Sequence, residues 1–120
     1  MTATRIYSGH CHCGAVRFRF RSDEITTACR CNCSMCIRKG AVMSSRYIPR
    51  EDFEELIGVE GLSVYRFGDR VVNHYFCGTC GVYPLHDATV KPGQYRVNLG
   101  CIDDLDPLGL AVTLIDGRSF

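Results

Sequence analysis

The chain has 120 residues, with 14 basic and 13 acidic side chains and a formal net charge of +1. That balance excludes a nucleic-acid binder held by phosphate attraction, and no apolar run is long enough to span a bilayer. The length suits one domain over residues 1–120 with a modest core, which a bound metal would help to stabilise.

In chain order, residues 1–9 hold no apolar signal core, which predicts a cytoplasmic protein. A short opening strand over 5–8 leads into a hook at 9–14. Residues 15–21 alternate, with Val16, Phe18 and Phe20 on one face and Arg17, Arg19 and Arg21 on the other. This is the period of a half-buried strand, so the hook is the turn of a hairpin, and the arginines are its solvated face. A turn at 22–24 and a strand over 25–30 follow. Residues 34–39 suit one helical turn, capped by Asn32 or Ser34 and ended by Gly40. A strand is expected over 42–48 and short helical character over 50–56. A hairpin flanks Gly68-Asp69, with strands at 62–67 and 71–76. A strand over 82–86 carries Pro84, and 91–93 reads as a turn. Residues 95–99 alternate, an acidic loop covers 103–107, and a last strand is expected over 110–115. Many short strands and one or two helical turns predict an all-β domain of small antiparallel sheets.

Nine cysteines in a reducing compartment read as metal ligands rather than disulfides, because the count is odd and the spacings are short. Cys31-Asn32-Cys33-Ser34-Met35-Cys36 places three thiols where they can converge on one ion. Cys77-Gly78-Thr79-Cys80-Gly81 is a zinc knuckle, and Cys11-His12-Cys13-Gly14 is a second two-thiol hook. The two hooks together complete one four-cysteine site, which leaves Cys31, Cys33 and Cys36 as an open three-cysteine site. Cys29, two residues before Cys31, is an alternative fourth ligand, and a closed site would abolish catalysis there. His10 and His12 are alternative ligands at the first hook. His74 and His86 read as partly buried, hydrogen-bonded residues or as proton donors. Cys101 reads as a small buried hydrophobe.

These motifs resemble those of the glutathione-dependent formaldehyde-activating enzyme family, whose domain also occurs in centromere protein V. They are Gly9-His10-Cys11-His12-Cys13-Gly14-Ala15-Val16, Cys31 to Lys39, and Tyr75-Phe76-Cys77-Gly78-Thr79-Cys80-Gly81. Asn32 stands where the family often has histidine. The resemblance implies a β-tent fold with two zincs. Cys11, Cys13, Cys77 and Cys80 match the structural zinc ligands, and Cys31, Cys33 and Cys36 those of a catalytic zinc. It further implies a carbon–sulfur lyase that joins a glutathione-like thiol to formaldehyde. Accumulated thiolate charge makes the second zinc the more labile, so it is expected to be partly occupied. Arg38 and Lys39, next to the open site, are the expected cations for the substrate. The competing readings are a zinc scaffold without turnover and a methionine sulfoxide reductase with Cys101 as nucleophile. The expected partners are a small thiol and an aldehyde, with no nucleic acid and no membrane; the oligomeric state is not specified by the sequence.

Overall fold

The computed structural model describes residues 4–67 and 71–117. The strands are β1 (Thr4–His10), β2 (Arg17–Asp23) and β3 (Thr27–Cys31), then, after helix α1 (Ser34–Lys39), β4 (Met43–Ser44), β5 (Ile48–Pro49) and β6 (Phe53–Ile57). The second half adds β7 (Leu62–Tyr65), β8 (Val72–Cys77), β9 (Leu85–Ala88), β10 (Lys91–Val97) and β11 (Ala111–Ile115). They form three small sheets in the orders β1-β2-β6, β5-β10-β9-β8-β7 and β11-β3-β4. This is the all-β fold of small sheets expected from the sequence.

The first sheet shows why. Val16, Phe18 and Phe20 are buried and Arg17, Arg19 and Arg21 exposed, as a pleat with one wet face requires. Phe18, Phe20 and Phe53 pack with ring centroids 5.4–6.5 Å apart. Ile48, Val97, Leu99 and Ile102 close the same core. Burying such side chains is the main stabilising term. The arginine face is solvated but not bare, since Arg19 lies 3.3 Å from Glu54 and Arg21 4.0 Å from Asp52. Exposed pairs of this kind contribute little.

Several local expectations are corrected. Ser22 and Asp23 extend β2 instead of turning, because β1 continues opposite them to Thr4. The strand expected over 42–48 divides: β4 pairs with β3 and β5 with β10, so the chain crosses between sheets at exposed Ser45 and Arg46. Helical character at 50–56 is confined to one 3-10 turn, Arg50–Asp52, because Phe53 enters the core on β6. Asn32 and Ser34 do not cap α1. Cys33 does, its sulfur accepting from the Cys36 amide, and Gly40 ends the helix as expected. Residues 91–93 belong to β10, where a bulge lies between Lys91 and Tyr95. Pro84 is buried just ahead of β9. β11 runs parallel to β3, so the third sheet is mixed, not antiparallel. β7 and β8 form the expected hairpin, while its tip at Gly68-Asp69 lies outside the described residues.

Candidate functional site

Two groups of sulfurs converge. Cys11, Cys13, Cys77 and Cys80 form one and Cys31, Cys33 and Cys36 the other, with all sulfurs of a group within 4.8 Å of one another. The first group joins the turn between β1 and β2 to the end of β8, and so ties the first sheet to the second. Gly14 and Gly81 follow the two hooks with φ of +82° and +79°, a conformation that glycine adopts without steric cost. The chain can then fold its amides back on the sulfurs. Val16 N lies 3.4 Å from Cys11 Sγ, and Thr79 N and Cys80 N lie 3.4 and 3.5 Å from Cys77 Sγ.

The Sγ separations Cys11–Cys13 and Cys13–Cys77 are 3.6 and 3.7 Å. A tetrahedron with zinc–sulfur bonds of about 2.3 Å has an edge of about 3.8 Å, so these donors fit zinc. Their proton affinities point the same way. Amides of Val82 and Cys13 hold the Cys80 thiol down to about 6. The Ala15 amide favours the Cys13 thiolate, but burial and the neighbouring sulfurs push that thiol up to about 11. Like charges this close cannot all ionise alone, and a soft divalent cation lets them.

The second group sits where β3 runs into α1. Cys33 N donates to Cys31 Sγ at 3.4 Å and Cys36 N to Cys33 Sγ at 3.3 Å. Burial would raise the Cys33 thiol, yet the Cys36 amide and adjacent thiols hold it below its usual range. Burial pushes Cys36 up to about 12, against the pull of Lys39. Three thiolates fit a metal that keeps one further position. Cys29 is not in the group: its buried Sγ donates to Ser44 O at 3.4 Å. Neither His10 nor His12 joins the first group; His10 Nε2 lies 3.6 Å from Asp103. Cys101 is buried, and burial with Cys11 and Cys80 pushes its thiol up to about 12, which is unfit for a nucleophile at neutral pH.

The two cations expected beside the second group part company. Arg38 is exposed and its Nη1 donates to Ser34 O at 2.8 Å, within its own helix. Lys39 turns inward. Its Nζ is buried 3.8 Å from the Tyr83 ring centroid, within electrostatic reach of Cys36, Cys33 and Cys31 but without a hydrogen bond of ordinary length. Burial pulls its ammonium below the usual range and those sulfurs draw it back up. Lys39, Met35, Ala41, Phe76, Val82 and Tyr83 are among the residues lining a cavity of about 420 Å³ that reaches from α1 to the knuckle at Gly81.

Sequence reasoning missed Tyr83. Its hydroxyl stands between His74 Nδ1 at 2.5 Å and His86 Nδ1 at 3.0 Å. Both histidines are buried and hydrogen-bonded, as expected. Burial, then Lys39, lowers His74 to about 4. Burial first, then Lys39 and Arg96, lowers His86 to about 2. Both imidazoles are therefore neutral at neutral pH. The only sequence signal was Tyr83 and His86 three residues apart around Pro84.

The comparisons with known proteins follow this geometry. The sequence profile described as glutathione-dependent formaldehyde-activating enzyme matches residues 6–113, which include all the grouped cysteines. A crystal structure of a Rhodobacter sphaeroides protein is similar to this chain at 35% identity and a TM-score of 0.76, covering 90% of this chain and 99% of that one.

Proposed function

The chain belongs to the glutathione-dependent formaldehyde-activating enzyme family, and on that footing we propose that it is a zinc-dependent carbon–sulfur lyase-type enzyme acting at Cys31, Cys33 and Cys36. The reaction joins a glutathione-like thiol to a small aldehyde. A carbon–sulfur bond forms, the carbonyl π bond breaks, and the thiol proton ends on the new hydroxyl, with no net oxidation. The observation that carries this reading is the group of three sulfurs that no fourth Cys, His, Asp or Glu of the described residues completes.

When bound, zinc would hold the substrate sulfur and lower its pKa. The protein's residues do the rest. Amide donors from Cys33 and Cys36 orient two of the three sulfurs. Lys39 offsets the negative charge that gathers as a further thiolate arrives. The cavity beside Lys39 and Tyr83 gives the thiol a partly apolar bed. The Tyr83 hydroxyl, between two neutral imidazoles, holds a proton that can shift along the three groups by tautomer exchange; neither histidine serves as an imidazolium acid. Cys11, Cys13, Cys77 and Cys80 hold a second, structural zinc in this reading, and Arg38 takes no part.

The test is a calorimetric titration of zinc-loaded protein with glutathione, in buffers of different ionisation heat. Saturable binding should release about one proton per thiol near neutral pH, because free thiols are mostly protonated there, and should vanish in Cys36→Ser. Equal binding by that variant, or none by the fully metallated wild type, would favour a zinc scaffold with no thiol site at these cysteines.

A further inference from the structure

The cavity beside α1 is far larger than the smallest aldehyde needs. Its volume is about 420 Å³, whereas a water molecule fills about 30 Å³ of liquid and formaldehyde is little larger. Four of the side chains that line it are apolar: Met35, Ala41, Phe76 and Val82. None of the four is fully buried, so each keeps apolar surface for a ligand to cover. Met35 shares a face of α1 with Lys39, one turn on. Phe76 and Val82 flank the knuckle, where Cys77 N donates to Val82 O at 2.9 Å. The polar groups of the wall are nearly all engaged. Asn98 Nδ2 donates to Tyr83 O at 2.8 Å, and Asn98 Oδ1 accepts from Gly100 N at 2.9 Å. The Tyr83 hydroxyl is held by His74 and His86. Lys39 Nζ has no hydrogen bond of ordinary length, and no acid is among the described lining residues. The same Nζ lies within electrostatic reach of Cys36. Lys39 is thus the side chain common to the cavity wall and the border of the three-sulfur group.

We infer that this cavity receives the substituent of the aldehyde, and that the aldehyde carries a branched or aromatic apolar group. The inference rests on the proposed thiol addition and narrows its carbonyl substrate. As the sulfur adds, the carbon–sulfur bond forms, the carbonyl π bond breaks, and its electron pair moves onto oxygen. The Lys39 ammonium is the free donor at the border of the sulfurs, so the developing alkoxide is placed against it. The thiol proton then completes the hydroxyl. The substituent sits on the same carbon as that oxygen, so it runs from Lys39 along Met35 toward Phe76 and Val82. Formaldehyde has no such group and would leave the apolar wall wet. An apolar substituent covers it, and each methylene in such a pocket adds about tenfold or more to discrimination.

The experiment measures the enhancement over the uncatalysed addition for 3-methylbutanal, glycolaldehyde and formaldehyde, each with glutathione and zinc-loaded protein. In parallel, the ¹³C-labelled ε-methyl of Met35 is followed by NMR during a titration with 3-methylbutan-1-ol, which cannot add a thiol. The enhancement for 3-methylbutanal should exceed that for the other two aldehydes by at least about tenfold. The alcohol should shift the Met35 methyl saturably at millimolar concentration. Ala41→Leu, which fills the cavity, should remove most of the preference and weaken the methyl response. Neither the wild-type series nor the methyl titration depends on that variant folding. Equal enhancement for the three aldehydes, with no methyl response, overturns the inference while leaving the thiol chemistry standing. Full preference in a folded Ala41→Leu protein places the substituent elsewhere and overturns it as well. A second arm holds formaldehyde fixed and compares 2-phenylethanethiol with 2-mercaptoethanol; a preference found there and not among the aldehydes gives the cavity to the thiol and overturns the assignment. If no aldehyde is turned over, the lyase reading fails and the aldehyde with it. A saturable Met35 response would then still establish an apolar-ligand site, and its absence would remove that too.

Discussion

Replacing Gly117 with alanine should damage the second sulfur group and spare the first. A Cβ built at Gly117 falls 2.5 Å from Cys31 Sγ and 2.9 Å from Cys33 Cβ. Unstrained contacts between such atoms begin at about 3.5 Å, so the sulfur or the glycine must retreat by roughly 1 Å. Metal–ligand distances tolerate about 0.2 Å. The backbone around Gly117 is not free to give way, because Asn32 N donates to Ile115 O at 3.1 Å and Asn32 Nδ2 to Asp116 Oδ1 at 3.1 Å. The displacement therefore falls on Cys31, one of only three sulfurs in that group. Zinc affinity at the second group should drop at least tenfold, or about 1.4 kcal/mol, measured by competition with a chromophoric chelator that resolves two binding steps. Gly61→Ala is the control, since a Cβ there meets nothing within 4 Å. Wild-type affinity for the weaker zinc in Gly117→Ala, or a loss confined to the tighter one, would refute the reasoning.

Other outcomes follow from the same geometry. Cys80→Ser should release about one zinc equivalent and lose cooperative melting, because the first group ties two sheets together; elemental analysis and calorimetry check both. Cys29→Ser should keep both zincs, since that sulfur faces the Ser44 carbonyl; loss of the weaker zinc would make Cys29 a ligand and close the site. His74 has a folded pKa of about 4 against an ordinary 6.5. Between those values the unfolded chain takes up a proton that the folded chain refuses, so stability should fall as pH drops from about 6.5 to 4. Denaturant melts across that window should show a shallower slope for His74→Gln than for the wild type.

The cysteine grouping was legible because its parts are local. Cysteines two or three residues apart, followed by Gly14 or Gly81, announce a hook without any knowledge of the tertiary fold. Pairing the two hooks then needed only ligand counting. The buried strand face at Val16, Phe18 and Phe20 was legible by its period. The cap of α1 was not, because a sulfur took the place that Asn32 or Ser34 was better suited to fill. The pair of His74 and His86 was hidden for a different reason. Each residue looks ordinary in its own strand, and only the register of β8 and β9 puts them side by side. The parallel β3–β11 pair depends likewise on a crossover spanning most of the chain. Arg38 and Lys39 are adjacent in sequence yet face different surroundings, because a helix turns about 100° per residue.

The most direct test of the account is zinc-edge X-ray absorption on fully metallated protein, with and without glutathione. One four-sulfur and one three-sulfur centre predict an average of about 3.5 sulfurs per zinc, rising to about 4 with the thiol. An average of four before any thiol is added, or no change after it, would contradict an open centre at Cys31, Cys33 and Cys36.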